Sequence, residues 1–363
     1  MAKAATKTFG ILTSGGDCPG LNAAIRGVAK AAYGIYGMKA MGIMNGYKGL
    51  IDGNVKPLKP EDVSGILTKG GTILGTSREK PFKVEKGADA SIVEKRLEAI
   101  RNTYNKYNLD CVVVLGGNGT HNTAALLKKE GFNIIGLPKT IDNDIYGTDI
   151  TFGFHSAVDI ATEAIDRLHS TAHSHNRVMV IEVMGHTAGW LALYSGVAGG
   201  GDVIILPEIP YDINSIAKHL KARAKGGKPF SIVVVAEGAI SIEESGMSRK
   251  DLKKKREAGK FPTKGYEIAR EIEESTGMDV RVSVLGYQQR GGAPSPYDRV
   301  IATQFGTAAA ELLNDGDYGK MVARFNDKIT ALPLEEVAGR LKMVPSDHIL
   351  IKDARDVGTC LGD

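Results

Sequence analysis

Seven short apolar runs recur along the chain, at 9–13 (FGILT), 111–115 (CVVVL), 133–137 (NIIGL), 178–183 (VMVIEV), 202–206 (DVIIL), 230–236 (FSIVVVA) and 281–285 (RVSVL). A strand with one wet face alternates apolar and polar residues. Runs without that alternation belong to strands covered on both faces, as in a parallel sheet between helices. Helix-period stretches lie between them, among them 92–106, 158–171 and 213–224. The alternation predicts an α/β chain of α/β/α sandwiches with mainly parallel sheets. At 363 residues it is long enough for two such domains, each with its own core. No solenoid-period repeat or low-complexity linker interrupts it. The charged, glycine-punctuated stretch 241–264 is expected as a surface excursion.

The chain carries 45 glycines, and several gather into loops. GGDCPG at 15–20 follows the first apolar run and precedes a helical stretch at 22–32. Small residues there let backbone N–H groups approach a phosphate, and a helix N-terminus adds partial positive charge. The plainer alternative is a tight strand-to-helix turn that touches nothing. A second loop, GGNGT at 116–120, opens a helix at 121–128, and a third, GGT at 70–72, leads into LGTSR at 74–78. Three such loops point to a polyphosphate clamp, because open α/β sheets bind ligands outside the carboxyl ends of their strands. The Walker motif, the protein-kinase motifs and the G-x-G-x-x-G dinucleotide fingerprint are all absent from the sequence.

The run PKTIDND at 138–144 follows another apolar run. In an extended segment alternate residues face one way, which would align Thr140, Asp142 and Asp144. Asp142 would then take a proton from an alcohol, Thr140 would hold the acceptor, and Asp144 would orient Mg²⁺ through water. An Asp/Asn turn capping a helix is the alternative reading. Phosphoryl transfer needs positioning and positive charge, and arginine forks match phosphate oxygens. Arg78, Arg177, Arg281 and Arg290 each fall beside a predicted strand end or glycine turn.

The net charge of +4 is mild, and the one dense basic run, RKDLKKKR at 249–256, reads as a solvated helix face rather than a nucleic-acid patch. Cys18, Cys111 and Cys360 fit neither a disulfide framework nor a metal spacing. Residues 1–10 hold no apolar core of leader length, and no apolar run approaches a membrane span. Cytosol is the expected compartment, with no nucleic-acid or membrane partner.

The segments GILTSGGDCPGLNAAIRG, GGTILGTSR, GGNGT, PKTIDND, VMGHTAGW, AEG and LGYQQRGGAPSPYDR resemble the phosphofructokinases, in that family's order, over residues 10–299. The resemblance implies transfer of the ATP γ-phosphoryl to the C1 hydroxyl of fructose 6-phosphate, a glycolytic step that uses Mg²⁺. It implies a larger donor-binding domain at 1–150, completed by a segment near 289–320. A smaller sugar-phosphate domain would follow at 151–288, with 321–363 as an extension packed on both, and with the active site between the two domains. Gly16, Arg78, Gly117, Asn118, Gly119 and Thr120 would take the donor, and Tyr47 would lie against its base. Asp142 would be the base, with Thr140 and Arg78 beside it in catalysis. Arg177, Met184, Gly185, His186, Glu237, Arg281, Tyr287 and Arg290, with Thr140 and Asp142, would bind the sugar phosphate. Arg177 and Arg281 match arginines that reach the neighbouring subunit's site, which implies a homodimer or homotetramer.

Two positions bear on the donor. ATP users of the family have glycine where this chain has Gly119, and pyrophosphate users have aspartate, which would fill the space of the α-phosphate and repel it. Lys139 matches the pyrophosphate users instead. The pair resembles the mixed-substrate branch, whose ATP-dependent members keep that lysine, so Gly119 decides for ATP, with pyrophosphate as the alternative donor and a non-catalytic sugar-phosphate or nucleotide binder as a remote one. Asn118 stands in place of a metal-facing acid, leaving Asp144 and Asn118 as the metal candidates. The effector site of the bacterial allosteric branch is matched at Arg26 but not at 59–64 or His169, which implies no nucleotide activation of that type.

Overall fold

The computed structural model describes residues 6–84, 89 and 91–363. The start of the amino-terminal stretch read above for a leader lies outside the described residues. The chain forms two compact units. The first takes the chain up to Ile141, then Ile145–Ser156 and Arg290–Leu341, and the second takes Asp142–Asp144, Ala157–Gln289 and Lys342–Asp363.

Numbered along the chain, the first unit's strands are β1 (Thr8–Thr13), β2 (Lys39–Ile43), β3 (Val55–Leu58), β4 (Cys111–Gly116), β5 (Ile134–Pro138), β10 (Lys320–Phe325) and β11 (Lys328–Pro333). They form one sheet in the order β11-β10-β5-β4-β1-β2-β3. The middle strands run parallel, with Leu12 beside Val114 and Val113 beside Ile135, while β3 and β11 close the edges antiparallel. Every residue of β4 and of β5 is buried, as their unbroken apolar runs require. Ile43, Val112, Val114, Ile134 and Met321 belong to one core cluster. Each such side chain contributes about 1.5–3 kcal/mol by leaving water.

The second unit's strands are β6 (Val178–Val183), β7 (Val203–Ile205), β8 (Ser231–Ala236) and β9 (Val280–Val284), all parallel in the order β7-β8-β6-β9. Its core gathers Val180, Val233, Val235, Ile216 and Ile268.

The extension expected at 321–363 is divided. β10 and β11 complete the first sheet, whereas Lys342–Asp363 goes to the second unit. There the Ile204 N–H donates to the Cys360 carbonyl (2.9 Å), so the chain end lies along the edge strand β7. The stretch 241–264 carries a helix at Arg249–Ala258, and not all of its charge faces water. Lys255 pairs with buried Glu244 (3.1 Å), and Arg256 donates to the Ala239 carbonyl (2.8 Å).

Candidate active site

In the first unit three glycine loops meet at the carboxyl ends of β1 and β4. Gly15 and Gly20 hold φ values of +85° and +103°, a left-handed backbone that only glycine adopts cheaply. Gly20 thereby delivers the chain into the helix Leu21–Gly34. The Gly15 N–H donates to the Ser77 carbonyl (2.9 Å), and the Thr76 hydroxyl donates to the Gly15 carbonyl (2.7 Å), tying the first loop to the third. The Thr120 hydroxyl reaches the Ser14 carbonyl (3.4 Å), bringing in the second loop. A β-carbon on Gly16 would stand 2.6 Å from Arg290 Nη1, so the guanidinium lies directly over that glycine. Arg290 also donates to the Asp17 carbonyl (3.1 Å), and the Lys139 ammonium donates to the Gly16 carbonyl. Arg290, expected among the sugar-phosphate residues, is therefore seated on the first glycine loop. Arg78 is exposed at the end of the third.

The second loop opens the helix Asn118–Lys129, with Gly117 at its N-cap and Asn118 and Gly119 half-exposed in its first turn. No acidic residue occupies that turn, so no acid of the helix itself offsets the partial positive charge of its start. Tyr47, expected against a donor base, is 1% exposed, and its hydroxyl donates to the Thr120 carbonyl (3.0 Å). Its ring is part of the apolar core, so it supports the second loop from beneath.

His121, which sequence reasoning passed over, lies fully buried under the same loop. Its Nδ1–H donates to the Gly117 carbonyl (3.0 Å), and Nε2 is buried with no partner among the described residues. Gly136 makes room for the ring, since a β-carbon there would stand 2.7 Å from His121 Cδ2. Burial disfavours the imidazolium and lowers the pKa from 6.5 to about 4, against the hydrogen bond to Gly117. Between those values the unfolded chain binds a proton that the folded chain refuses, so stability falls as pH drops through that window. The loss should reach on the order of 3 kcal/mol. Thermal unfolding of the native protein should thus fall off more steeply from pH 6.5 to 4 than that of His121→Gln. Parallel curves would refute the account.

β5 ends at Pro138, and the expected alternation of Thr140, Asp142 and Asp144 is broken. Asn143 has φ +51°, a left-handed turn that Asn tolerates, so Asp142 and Asp144 do not follow one extended face. The Thr140 carbonyl accepts from the Thr151 hydroxyl (2.8 Å) in the first unit. Within the second unit Lys342 holds the turn, its N–H donating to the Asp144 carbonyl (2.9 Å) and its ammonium to Asn143 Oδ1 (2.9 Å). Asp142 is half-buried and Asp144 is buried.

The carboxyl ends of β6, β8 and β9 gather the other candidates. The Met184 N–H donates to Gln289 Oε1 (2.9 Å), and the His186 N–H donates to Glu237 Oε1 (2.8 Å). Gly185 and His186 both hold positive φ, +136° and +54°, which turns these N–H groups toward their acceptors. Burial raises the Glu237 carboxyl above its usual range, the His186 N–H opposes that rise, and the charges of Asp142 and Glu182 add to it. Glu237 also lines a cavity of about 430 Å³ with Glu182, Arg256 and Lys264. Tyr287 is exposed.

Arg177 and Arg281 stand elsewhere. Both pair with Asp279, Arg177 through Nε at 2.5 Å, at the amino ends of β6 and β9. Six residues of β6, roughly 20 Å, separate Arg177 from Met184. Within one chain these two arginines lie at the opposite edge of the sheet from Glu237 and His186.

Glycine loops at the carboxyl ends of parallel strands, where open α/β sheets bind their ligands, define a doubly wound α/β fold. The phosphofructokinase family model matches residues 8–313, and the chain belongs to that family. An ATP-dependent 6-phosphofructokinase of Spirochaeta thermophila is 68% identical over 364 residues, with 100% of both chains covered. An ATP-dependent 6-phosphofructokinase of Bacteroides thetaiotaomicron is 54% identical across 98% of this chain and 99% of its own. The structure of phosphofructokinase from Saccharomyces cerevisiae superposes with a TM-score of 0.80 at 29% identity, over 92% of this chain and 45% of that one. Among the described residues no helix is long and apolar enough to cross a membrane, and no cluster of three or more His, Cys, Asp or Glu side chains could hold a metal.

Proposed function

We propose that the chain is an ATP-dependent 6-phosphofructokinase, transferring the γ-phosphoryl of ATP to the C1 hydroxyl of fructose 6-phosphate. The observation that carries the reading is the cluster of glycine loops, with the cations Arg290 and Lys139 on the first loop at Gly16 and Asp17 and a helix start holding Gly119 in the second. The names and identities of the two bacterial relatives support it independently.

In this reading the first unit takes the donor. N–H groups of the loops at Gly16 and Gly117–Thr120 meet phosphate oxygens, and Arg78 and Arg290 offset the charge that gathers on the transferred group. The second unit takes the sugar phosphate, with Glu237 accepting from sugar hydroxyls beside Met184, Gly185, His186 and Tyr287. Asp142 removes the C1 proton as that oxygen bonds to the γ-phosphorus and the bond to ADP breaks. Thr140 holds the acceptor.

Asp144 and Asn118 offer hard oxygen donors of the kind Mg²⁺ takes. They would hold Mg²⁺, which when bound neutralises charge on the phosphate oxygens.

Lys139 alone favours pyrophosphate, but its ammonium donates to the Gly16 carbonyl and so serves the loop itself. Turnover of fructose 6-phosphate measured with each donor tests the reading. ATP should be used at least tenfold better, and a preference for pyrophosphate would overturn it.

Arg177 and Arg281 complete the neighbouring subunit's site, which explains their place at the far edge of their own sheet. Asp142→Asn and Arg281→Ala chains, each inactive alone, should regain up to about a quarter of native activity when unfolded together and refolded. In each hybrid one site joins an intact Asp142 to an intact Arg281. No recovery, with hybrids demonstrably formed, would place Arg281 in its own chain's site.

A further inference from the structure

Lys80 lies two residues beyond Arg78, and nothing above assigns it a task. The loop that carries it is built rather than slack. Arg96 donates to the carbonyls of Lys83 (2.9 Å) and Pro81 (3.4 Å), and it pairs with Glu79 (3.2 Å). Pro81 is buried, and Phe82 packs on the core cluster. The loop's course is thus fixed on both sides of an exposed lysine.

That lysine faces Gly119. A β-carbon built on Gly119 would have Lys80 Cε and Nζ as its nearest neighbours, both at 3.6 Å. Among the described residues no carboxylate pairs with the Lys80 ammonium. Opposite it is the first turn of Asn118–Lys129, which carries no acidic residue. A helix start and a cation on a held loop therefore attract an anion from two sides of one space.

We propose that Lys80 is a specificity-determining residue of the donor site, supplying the cation that meets the phosphates of a nucleoside triphosphate across Gly119. The inference rests on the functional reading above and deepens it. Glycine at 119 does more than leave room, because any carboxylate there would capture the Lys80 ammonium for itself. Lysine suits the task, since its flexible stem lets a compact charge follow an oligophosphate.

The test measures ADP affinity by calorimetry and steady-state kinetics on the full chain. Lys80→Ala should raise the Kd for ADP and the KM for ATP about tenfold, equivalent to roughly 1.4 kcal/mol. The KM for fructose 6-phosphate and the Tm should hold steady, since Lys80 is exposed. Lys80→Arg should stay within threefold of native, and Lys80→Glu should lose more than alanine. An ADP affinity and ATP KM within twofold of native in the alanine variant would overturn the proposal, as would an equal rise in the KM for fructose 6-phosphate. Native protein that binds ADP but transfers nothing would sink the functional reading, while the Lys80 binding comparison would still decide this one.

Discussion

Asp142→Asn should leave the protein folded and lower kcat by about 10³-fold, within the range of roughly 10²–10⁴ that general-base catalysis supplies. A sugar alcohol is a poor nucleophile until its proton leaves, and an amide cannot accept that proton at neutral pH. The substitution keeps the shape of the side chain, and Asp142 is only half-buried, so packing changes little. The neighbouring turn is held through Asn143 and the Asp144 carbonyl by Lys342. The loss should therefore fall on kcat, with both KM values within a few-fold of native, because substrates bind through other groups. A coupled assay for fructose 1,6-bisphosphate, with a thermal melt on the same preparation, separates the two effects. If kcat falls less than tenfold while the melt is unchanged, the base lies elsewhere.

Much of the architecture was legible in the apolar runs, and the reason is burial. β4, β6 and β8 are covered along their whole length, and their sequences show it as unbroken Val, Ile and Leu. β2, β3, β10 and β11 were not foreseen. Short strands such as VKPL, with exposed Lys56 and Pro57, and KITALP, with no fully buried residue, carry the mixed composition of partly exposed strands and read as loop. The fate of 321–363 was hidden for the same reason: its strands belong to one unit and its last segment to the other.

Within the site, the glycine loops announced themselves by composition, because backbone that must turn sharply or admit a guanidinium has few residue choices. Side-chain partnerships across the chain left no such mark. Arg290 and Asp17 are 273 residues apart, and no local pattern pairs them. Tyr47 carried a family expectation of ligand contact, yet its ring is part of the core beneath Thr120. The PKTIDND run left an extended segment and an Asp/Asn turn both open, and the left-handed Asn143 decides for a turn.

Donor choice concentrates that lesson in one residue, since Gly119→Asp should lower kcat/KM for ATP by about 10²–10³-fold without destabilising the fold. The new β-carbon would meet Lys80 at 3.6 Å, ordinary contact distance, so the side chain can be accommodated where it is. Its carboxylate would then act twice. It would place a negative charge where the helix start now faces the donor, and like charges about 4 Å apart cost roughly 4 kcal/mol at a protein surface. It would also pair with the Lys80 ammonium, withdrawing the cation from the phosphates. Because the second effect already disables Lys80, the double variant Gly119→Asp/Lys80→Ala should be little worse than Gly119→Asp alone, instead of losing a further tenfold. The Tm should stay level or rise slightly from the new surface pair. Kinetics of the two single variants and the double one with ATP complete the cycle. An aspartate variant that keeps kcat/KM for ATP within fivefold of native would mean that the donor's phosphates do not pass Gly119.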